Sequence, residues 1–357
     1  MTAIHQFVPT LAPRDAVGTH YLAIRDTLRG AGYRSGIYAY EAKDEYKRMA
    51  EPFTTFDGGR AGEATWLLYH SSVGSPVADF VVRREEPVLV DYHNITPAVH
   101  FARWEPALAG NLAKGRRQLG ALEPRASLGM ADSAFNAREL DELGYVRTAV
   151  VPILLDVASF EAHEPDPMVR RLDAVTWLFV GRLAPNKAQH DVVKAFAAYR
   201  KLYDPTARLR LVGGSSSHRY ENTLREFVAG LGLESAVEIT GPVSGGALTA
   251  HYDRADVLVV CSEHEGFLVP LLEAMHHRLP IVAYAAAAVP ETVDDAGLLL
   301  NVKDPCTVAT AVHRVVSDDR LRAQLVDAGT RRVRDFDIAR SRRKLLDAVE
   351  PVVEQPA

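Results

Sequence analysis

Cysteine is nearly absent from this chain: its 357 residues include two, Cys261 and Cys306, far apart and in no metal-ligand spacing. That scarcity argues against a disulfide framework and against a cysteine-bound metal. Each cysteine reads as a small hydrophobe for a core, and a reducing cytoplasm is the expected compartment. A basic excess is also missing. Lys and Arg total 41 against 46 Asp and Glu, a formal charge of −5, which argues against a general nucleic-acid binder. No stretch approaches the roughly 18–20 continuous apolar residues that span a bilayer. The opening MTAIHQFVPT has neither the basic start nor the apolar run of a signal peptide. Neither G-x-G-x-x-G nor G-x-x-x-x-G-K-[ST] occurs, so a dehydrogenase and a P-loop enzyme are disfavoured. No repeat of fixed period and no low-complexity segment is found.

What is present is an alternation of short β-rich runs and helical patterns, the mark of parallel α/β sheets. The length suits two domains. In the first half, strands are expected near Ile4–Val8, Arg34–Tyr40, Thr65–His70, Val88–His93, Leu128–Asp132 and Thr148–Pro152. Gly18–Ala31 reads as an amphipathic helix closed near Gly32, and Phe135–Leu143 as another, with Ser133 as N-cap and Gly144 as stop. The polar, Pro-containing stretch Glu161 to Asp173 interrupts this pattern and reads as a linker. The alternation then restarts with TWLFVGR, RLRLVGG, VEITG, DVLVVCS and PIVAYA as strands, separated by helical patterns. Two α/β series imply two Rossmann-like domains facing a central cleft, with ligands outside the carboxyl ends of the strands. The expected division is 1–160 and 161–337, with a helix about 338–357 returning to the first domain. The basic run RRVRDFDIARSRRKLL reads as a solvated helix face with arginine stems covering apolar surface.

Two motifs carry chemistry. EHEGFLVPLLEAM follows the strand DVLVVCS and sets Glu265 and Glu273 eight residues apart. Over eight helical residues the backbone advances roughly 12 Å, so the two acids can address opposite ends of an extended ligand. Gly266 lets backbone approach closely, and the free amides at the helix start attract anions. FVGRLAPNKAQHDVVKAF places Arg182 and Lys187 five apart at another strand end. An arginine grips phosphate oxygens in a fork and a lysine adds a point charge, so the pair can converge on a polyanion without a metal. Gly213–Gly214, followed by SSSHRY, is a weaker signal at a third strand end. The bland reading of each residue alone is an ordinary surface charge or a structural turn; together, at strand ends, they favour a ligand site.

The C-terminal half resembles that of retaining glycosyltransferases of family 4 with the GT-B fold (glycosyl transferases group 1). The similarity rests on VGRLAPNK, the Gly-Gly pair, Gly241 with its following helix and the E-x7-E of EHEGFLVPLLEAM, and covers nearly all of residues 175–335. PIVAYAAAAVPETVDDAGLLL resembles the next family segment, although a glycine usually stands where this chain has one of the alanines. The resemblance implies that Arg182 and Lys187 hold a donor diphosphate, that Glu273 binds ribose hydroxyls and that Glu265 lies against the donor sugar. It places the 267–269 amides at sugar or phosphate, and Gly241 and Pro242 near the base. In the first half, Gly18 occupies the place of a glycine loop where family members often have two glycines and this chain has Val17-Gly18. His93 resembles the family histidine that contacts the donor sugar, with His70 a similar candidate.

The expected function is therefore transfer of a sugar from a nucleoside-diphosphate sugar, UDP preferred over GDP, to an acceptor hydroxyl with retention, needing no tightly bound cofactor. The resemblance implies that the departing phosphate helps accept the acceptor's proton, so neither glutamate is assigned as a covalent nucleophile. The acceptor is a saccharide, a natural product or a lipid-linked sugar. NLAKGRRQLGAL, with Lys114, Arg116 and Arg117, offers a basic amphipathic pattern for weak peripheral membrane contact. Two other readings stay open: a GT-B phosphorylase or epimerase, and a non-catalytic sugar-nucleotide-binding subunit.

Overall fold

Two blocks of alternating sequence form two parallel sheets in the computed structural model, which describes residues 2–12, 16–161 and 163–354. Residues 13–15, one position of the Glu161–Asp173 linker (162) and the end of the 338–357 segment lie outside the described residues. The chain divides into two compact units. One comprises Met1–Ala102, Pro106–Leu155 and Phe336–Ala357; the other comprises Arg103–Glu105 and Asp156–Asp335.

The first unit runs β1 (Thr2–Leu11), α1 (Ala16–Gly30), β2 (Ile37–Ala42), β3 (Glu51–Pro52), β4 (Ala64–Ser71), α2 (Pro76–Val81), β5 (Val88–Tyr92), α3 (Pro106–Leu122), β6 (Ala126–Ala131), α4 (Ala134–Glu142) and β7 (Thr148–Val150). Its sheet order is β3-β2-β1-β4-β5-β6-β7, all parallel. Strand β5, VLVDY, is buried throughout, as a central parallel strand covered on both faces must be. Ser133 caps α4 by accepting from Asn136 N–H, and Gly144 follows in a left-handed conformation. Strand β2 starts three residues later than the sequence pattern suggested. Arg34 makes an isolated bridge to Ala3, and the Gly36 N–H is diverted to His5 Nδ1 at 3.1 Å.

The second unit runs β8 (Thr176–Val180), α5 (Gln189–Leu202), β9 (Arg208–Val212), α6 (His218–Gly230), β10 (Val237–Gly241), α7 (Gly245–Asp253), β11 (Val257–Val260), α8 (Val269–His276), β12 (Ile281–Tyr284), α9 (Val289–Val293), β13 (Gly297–Leu300), α10 (Pro305–Ser317) and α11 (Asp319–Arg332). Its order, β10-β9-β8-β11-β12-β13, is that of a doubly wound sheet, reversing between β8 and β11. The core gathers Trp177, Phe179, Phe196, Tyr199, Leu209, Leu211 and Val259 beneath α5, α6 and α10. Cys261 is buried, and burial pushes its thiol up to about 12. Cys306 is exposed at the start of α10, against the expectation of a core residue: position 306 faces solvent while Val308, Ala309 and Val312 take the buried stripe.

Helix α12 (Ile338–Val353) belongs to the first unit. Leu345, Val349, Val352 and Val353 join Ile4, Ile24, Leu68, Leu89 and Met130 in one core, and Tyr33 Oη donates to Glu354 Oε1 at 3.1 Å. Arg340, Arg342 and Arg343 stay exposed.

Candidate active site

In the second unit a glycine with positive φ follows β8 (Gly181, 146°) and β9 (Gly213, 138°), and another ends β10 (Gly241, 71°). Gly213 N–H donates to Gly241 O at 3.1 Å, and Leu183 N–H to Gly214 O at 2.7 Å. A Cβ on Gly213 would lie 2.3 Å from Gly181 O, so this bare position is what lets neighbouring strand ends approach. Pro242 is exposed beside Gly214.

The loop after β8 carries both cations. Arg182 is exposed, and its carbonyl is fixed by Gln189 Nε2 at 2.9 Å. Pro185–Lys187 forms one 3-10 turn, and buried Ala188 then takes φ 49° to open α5 without a side-chain cap. Lys187 Nζ reaches both Glu265 oxygens, at 2.8 and 2.7 Å. The lysine side chain is 16% exposed and the glutamate 7%. Such a largely desolvated pair keeps its charges only because each satisfies the other.

The loop after β11 is tied on both sides. Glu263 N–H donates to Asn186 O at 2.8 Å and Asn186 Nδ2 to His264 O at 3.1 Å. Ala288 N–H donates to Glu265 O at 3.2 Å, and Thr292 Oγ1 to Phe267 O at 2.9 Å. Gly266 is half-buried, and Phe267 and Leu268 are buried. Leu268 takes φ 68° and leaves α8 without a side-chain cap, with Val269 at its first position. A branched residue in that conformation is strained. One turn on, Glu273 Oε2 accepts from the buried Tyr252 Oη at 2.5 Å. Burial raises the Glu273 carboxyl above its usual range, opposed by that hydrogen bond. Tyr252 itself lies flat on His277, with centroids 5.1 Å apart.

The second unit thus joins Lys187 to Glu265, and Gly213 to Gly241. It sets Arg182 on the Lys187 loop and Gly266, Phe267, Leu268, Val269 and Glu273 on one loop-helix element. Gly18 and His93 belong to the first unit. Gly18 is in the first turn of α1, where a Cβ would stand 2.7 Å from Ala12 O. Its bareness is therefore required by its own chain. The His93 imidazole is fully buried, with Nε2 2.9 Å from His70 Nδ1 and Nδ1 3.1 Å from Asp132 Oδ1. His70 is likewise buried. Tyr252, His20, Asp91 and Asp132 carry no motif and were missed in the sequence. Of the basic triplet in α3, Lys114 pairs with Asp79 at 3.2 Å and Arg116 with Glu139 at 3.0 Å. Only Arg117 of the three is exposed. Among the described residues no helix is long and apolar enough to cross a membrane.

Two doubly wound parallel sheets, with the polar residues of the second gathered at its strand ends, define a GT-B fold. Residues 174–318 match the family model Glycosyl transferases group 1. Over that stretch, which lies in the second unit, the chain is similar to that family of glycosyltransferases. A D-inositol 3-phosphate glycosyltransferase of Geodermatophilus obscurus is 37% identical over 218 residues, 57% of this chain and 47% of that protein. In that match the chain spans about half the length of its relative. The protein of the same name from Kineococcus radiotolerans is 28% identical over 368 residues, 93% of this chain and 83% of that one. Among solved structures, Anabaena HepE in complex with UDP and glucose superposes with a TM-score of 0.75 at 17% identity, covering 98% of this chain and all of that one. Sucrose-phosphate synthase from Thermosynechococcus elongatus gives the same TM-score and identity, with 98% and 99% covered.

Proposed function

We propose that the chain transfers a sugar from a nucleoside-diphosphate sugar, UDP in preference to GDP, to an acceptor hydroxyl with retention at the anomeric carbon. The observation that carries this reading is the Lys187–Glu265 pair at the switch point of the second sheet, where doubly wound sheets take their ligands. Arg182, exposed beside it, meets the diphosphate, and Lys187 shares that charge as it builds on the leaving group. Glu265 faces the donor sugar. The amides opening α8 meet phosphate or sugar, Glu273 takes the ribose hydroxyls, and Gly213, Gly241 and Pro242 border the base. Gly18 and His93, which belong to the first unit, are donor contacts on the strength of the family resemblance alone. The names of the relatives support the reaction class, and the UDP and glucose held by Anabaena HepE support the choice of nucleotide. No residue is assigned as a metal ligand. The acceptor is a sugar or cyclitol hydroxyl, in keeping with relatives named for inositol 3-phosphate.

Calorimetric titration of UDP and GDP, with EDTA present, into the wild-type chain and Glu273→Ala tests this reading. Glutamate-dependent binding of UDP in chelator is expected. Binding of neither nucleotide would overturn the donor assignment, and binding lost with EDTA would overturn its independence of metal.

A further inference from the structure

The first sheet has its own switch point, between β1 and β4, and a buried polar cluster spans it. Gln6 comes from β1, His20 from α1, His70 from β4 and Asp91 from β5, while His93 and Asp132 stand just past the ends of β5 and β6. All six are buried.

One possible occupant is a divalent cation, since ligating atoms of His20, His70, Asp91 and His93 lie within 4.8 Å of one another. Two details of the hydrogen bonding oppose it. The Leu154 N–H, which can only donate, points at His20 Nδ1 at 2.8 Å. A neutral His20 therefore carries its proton on Nε2, directed at Asp91 Oδ2 at 3.0 Å, and has no lone pair left for a metal. The His70 and His93 rings are coplanar within 6°, with centroids 5.2 Å apart and 2.9 Å between the facing nitrogens. Those nitrogens lie along the line joining the centroids. Their axes meet nearly head-on, as in an N–H···N hydrogen bond, while Asp91 Oδ2 flanks that line, 3.3 Å from His70 Nδ1 and 3.5 Å from His93 Nε2.

The protons can be placed from the fixed donors. Gln6 Nε2 donates to Tyr21 O at 3.0 Å, so its Oε1 accepts from His70 Nε2 at 2.9 Å. Burial lowers the His70 imidazole to about 4, leaving it neutral, and its Nδ1 accepts from His93 Nε2. On the far side His93 Nδ1 faces Asp132 Oδ1, and one proton lies between them. Burial opposes charge on Asp91, yet His93 and the hydrogen bond from His20 hold its carboxyl well below the usual range.

We propose that His20, His70, Asp91 and Asp132 are positioning residues for sugar transfer. They form a metal-free hydrogen-bonded chain, closed by one proton shared between His93 and Asp132, that sets His93 and the first turn of α1 around Gly18. This rests on the reading that His93 and Gly18 address the donor. His20 lies two residues beyond Gly18 on the same helix, so one cluster holds both of the first unit's candidate contacts.

The test uses the full chain, Asp132→Asn and the near-isosteric His70→Gln, with thermal melts to confirm folding. The groups facing the shared proton are His70 from β4, His20 and Tyr21 from α1, and Asp91 from β5. Proton and nitrogen NMR of histidine-labelled protein should show a strongly deshielded proton between His93 and Asp132 that vanishes in Asp132→Asn. Release of nucleoside diphosphate from a panel of UDP- and GDP-sugars should fall on the order of a hundredfold in both variants, as misplacement of reacting groups does. UDP affinity should move by no more than about threefold, since among the described residues neither substituted side chain shares a hydrogen-bond partner with Lys187, Glu265 or Glu273. Folded variants with wild-type turnover, or an equimolar divalent metal in dialysed wild-type protein, would overturn the proposal. If the wild-type chain bound no nucleotide, the donor reading would fail, while the shared proton and the metal content would still decide the cluster.

Discussion

Lys187 Nζ holds both carboxylate oxygens of Glu265, at 2.8 and 2.7 Å, between β8 and β11 where the strand order of the second sheet reverses. The lysine's charge is thereby neutralised before any ligand arrives. Glu265→Gln keeps the shape and frees that charge, so UDP should bind several-fold more tightly while sugar transfer falls. Calorimetry paired with nucleotide-release rates checks the split; weaker UDP binding would show that Lys187 does not meet the diphosphate. Lys187→Met instead strands a buried carboxylate, and should cost on the order of 3 kcal/mol of stability in denaturant titrations.

Arg182 is exposed and its guanidinium has no partner among the described residues. Arg182→Ala should leave the unfolding free energy within about 0.5 kcal/mol. Turnover should drop by a factor on the order of a hundred or more, the usual loss when a transition-state charge partner is removed. Near-normal turnover would remove Arg182 from the site.

Tyr252 Oη donates to Glu273 Oε2, and Tyr252→Phe deletes that one bond. Nucleotide affinity should weaken about tenfold, in line with a hydrogen bond to a charged group. Burial already raises Glu273, and the bond opposes the rise. Its loss should therefore shift the acid limb of UDP binding to higher pH. A folded-state carboxyl above its unfolded value binds more protons in the native state, so this group's share of stability is present at low pH and fades as pH rises through the raised value.

His5, His70 and His251 behave in the opposite sense. Burial lowers each to about 4 from 6.5. Between those values the unfolded chain binds more protons, so stability is present above about pH 6.5 and is lost as pH falls toward 4. Melting temperature should decline across that window, and His251→Gln should flatten the decline; an unchanged slope would count against His251.

Gly213→Ala would place a methyl 2.3 Å from Gly181 O at a φ of 138°. A fall of more than ~5 °C in Tm is expected, together with weaker UDP binding, because the ends of β8 and β9 must part.

Much of this was legible in the sequence. Apolar β-branched runs such as TWLFV and VLVDY became central strands, and Ser133 and Gly144 bounded α4 as their chemistry requires. Arg182, Lys187, Glu265 and Glu273 stand out as candidates in the sequence because each sits in a local motif that follows a strand. The hydrogen-bonding partners do not. Gln6, His20, Asp91 and Asp132 are scattered over most of the first unit, and only the parallel stacking of β1, β4, β5 and β6 brings them to His70 and His93. Tyr252 reaches Glu273 from another helix. The two-residue edge strand β3 has no periodicity to read, and the cations of α3 looked free because their partners Asp79 and Glu139 lie on α2 and α4.

The return of α12 to the first unit has a consequence for how the protein is made. Leu345, Val349 and Val353 complete a core begun by Ile4 and Ile24, more than three hundred residues earlier in synthesis. The second unit, continuous from Asp156 to Asp335 apart from Arg103–Glu105, is fully translated before that core can close. Domains tend to fold as their residues emerge from the ribosome. Here the order is inverted: the unit begun first is the last to finish, and a chain broken off before residue 336 would leave its opening half, not its interrupted end, without a complete core.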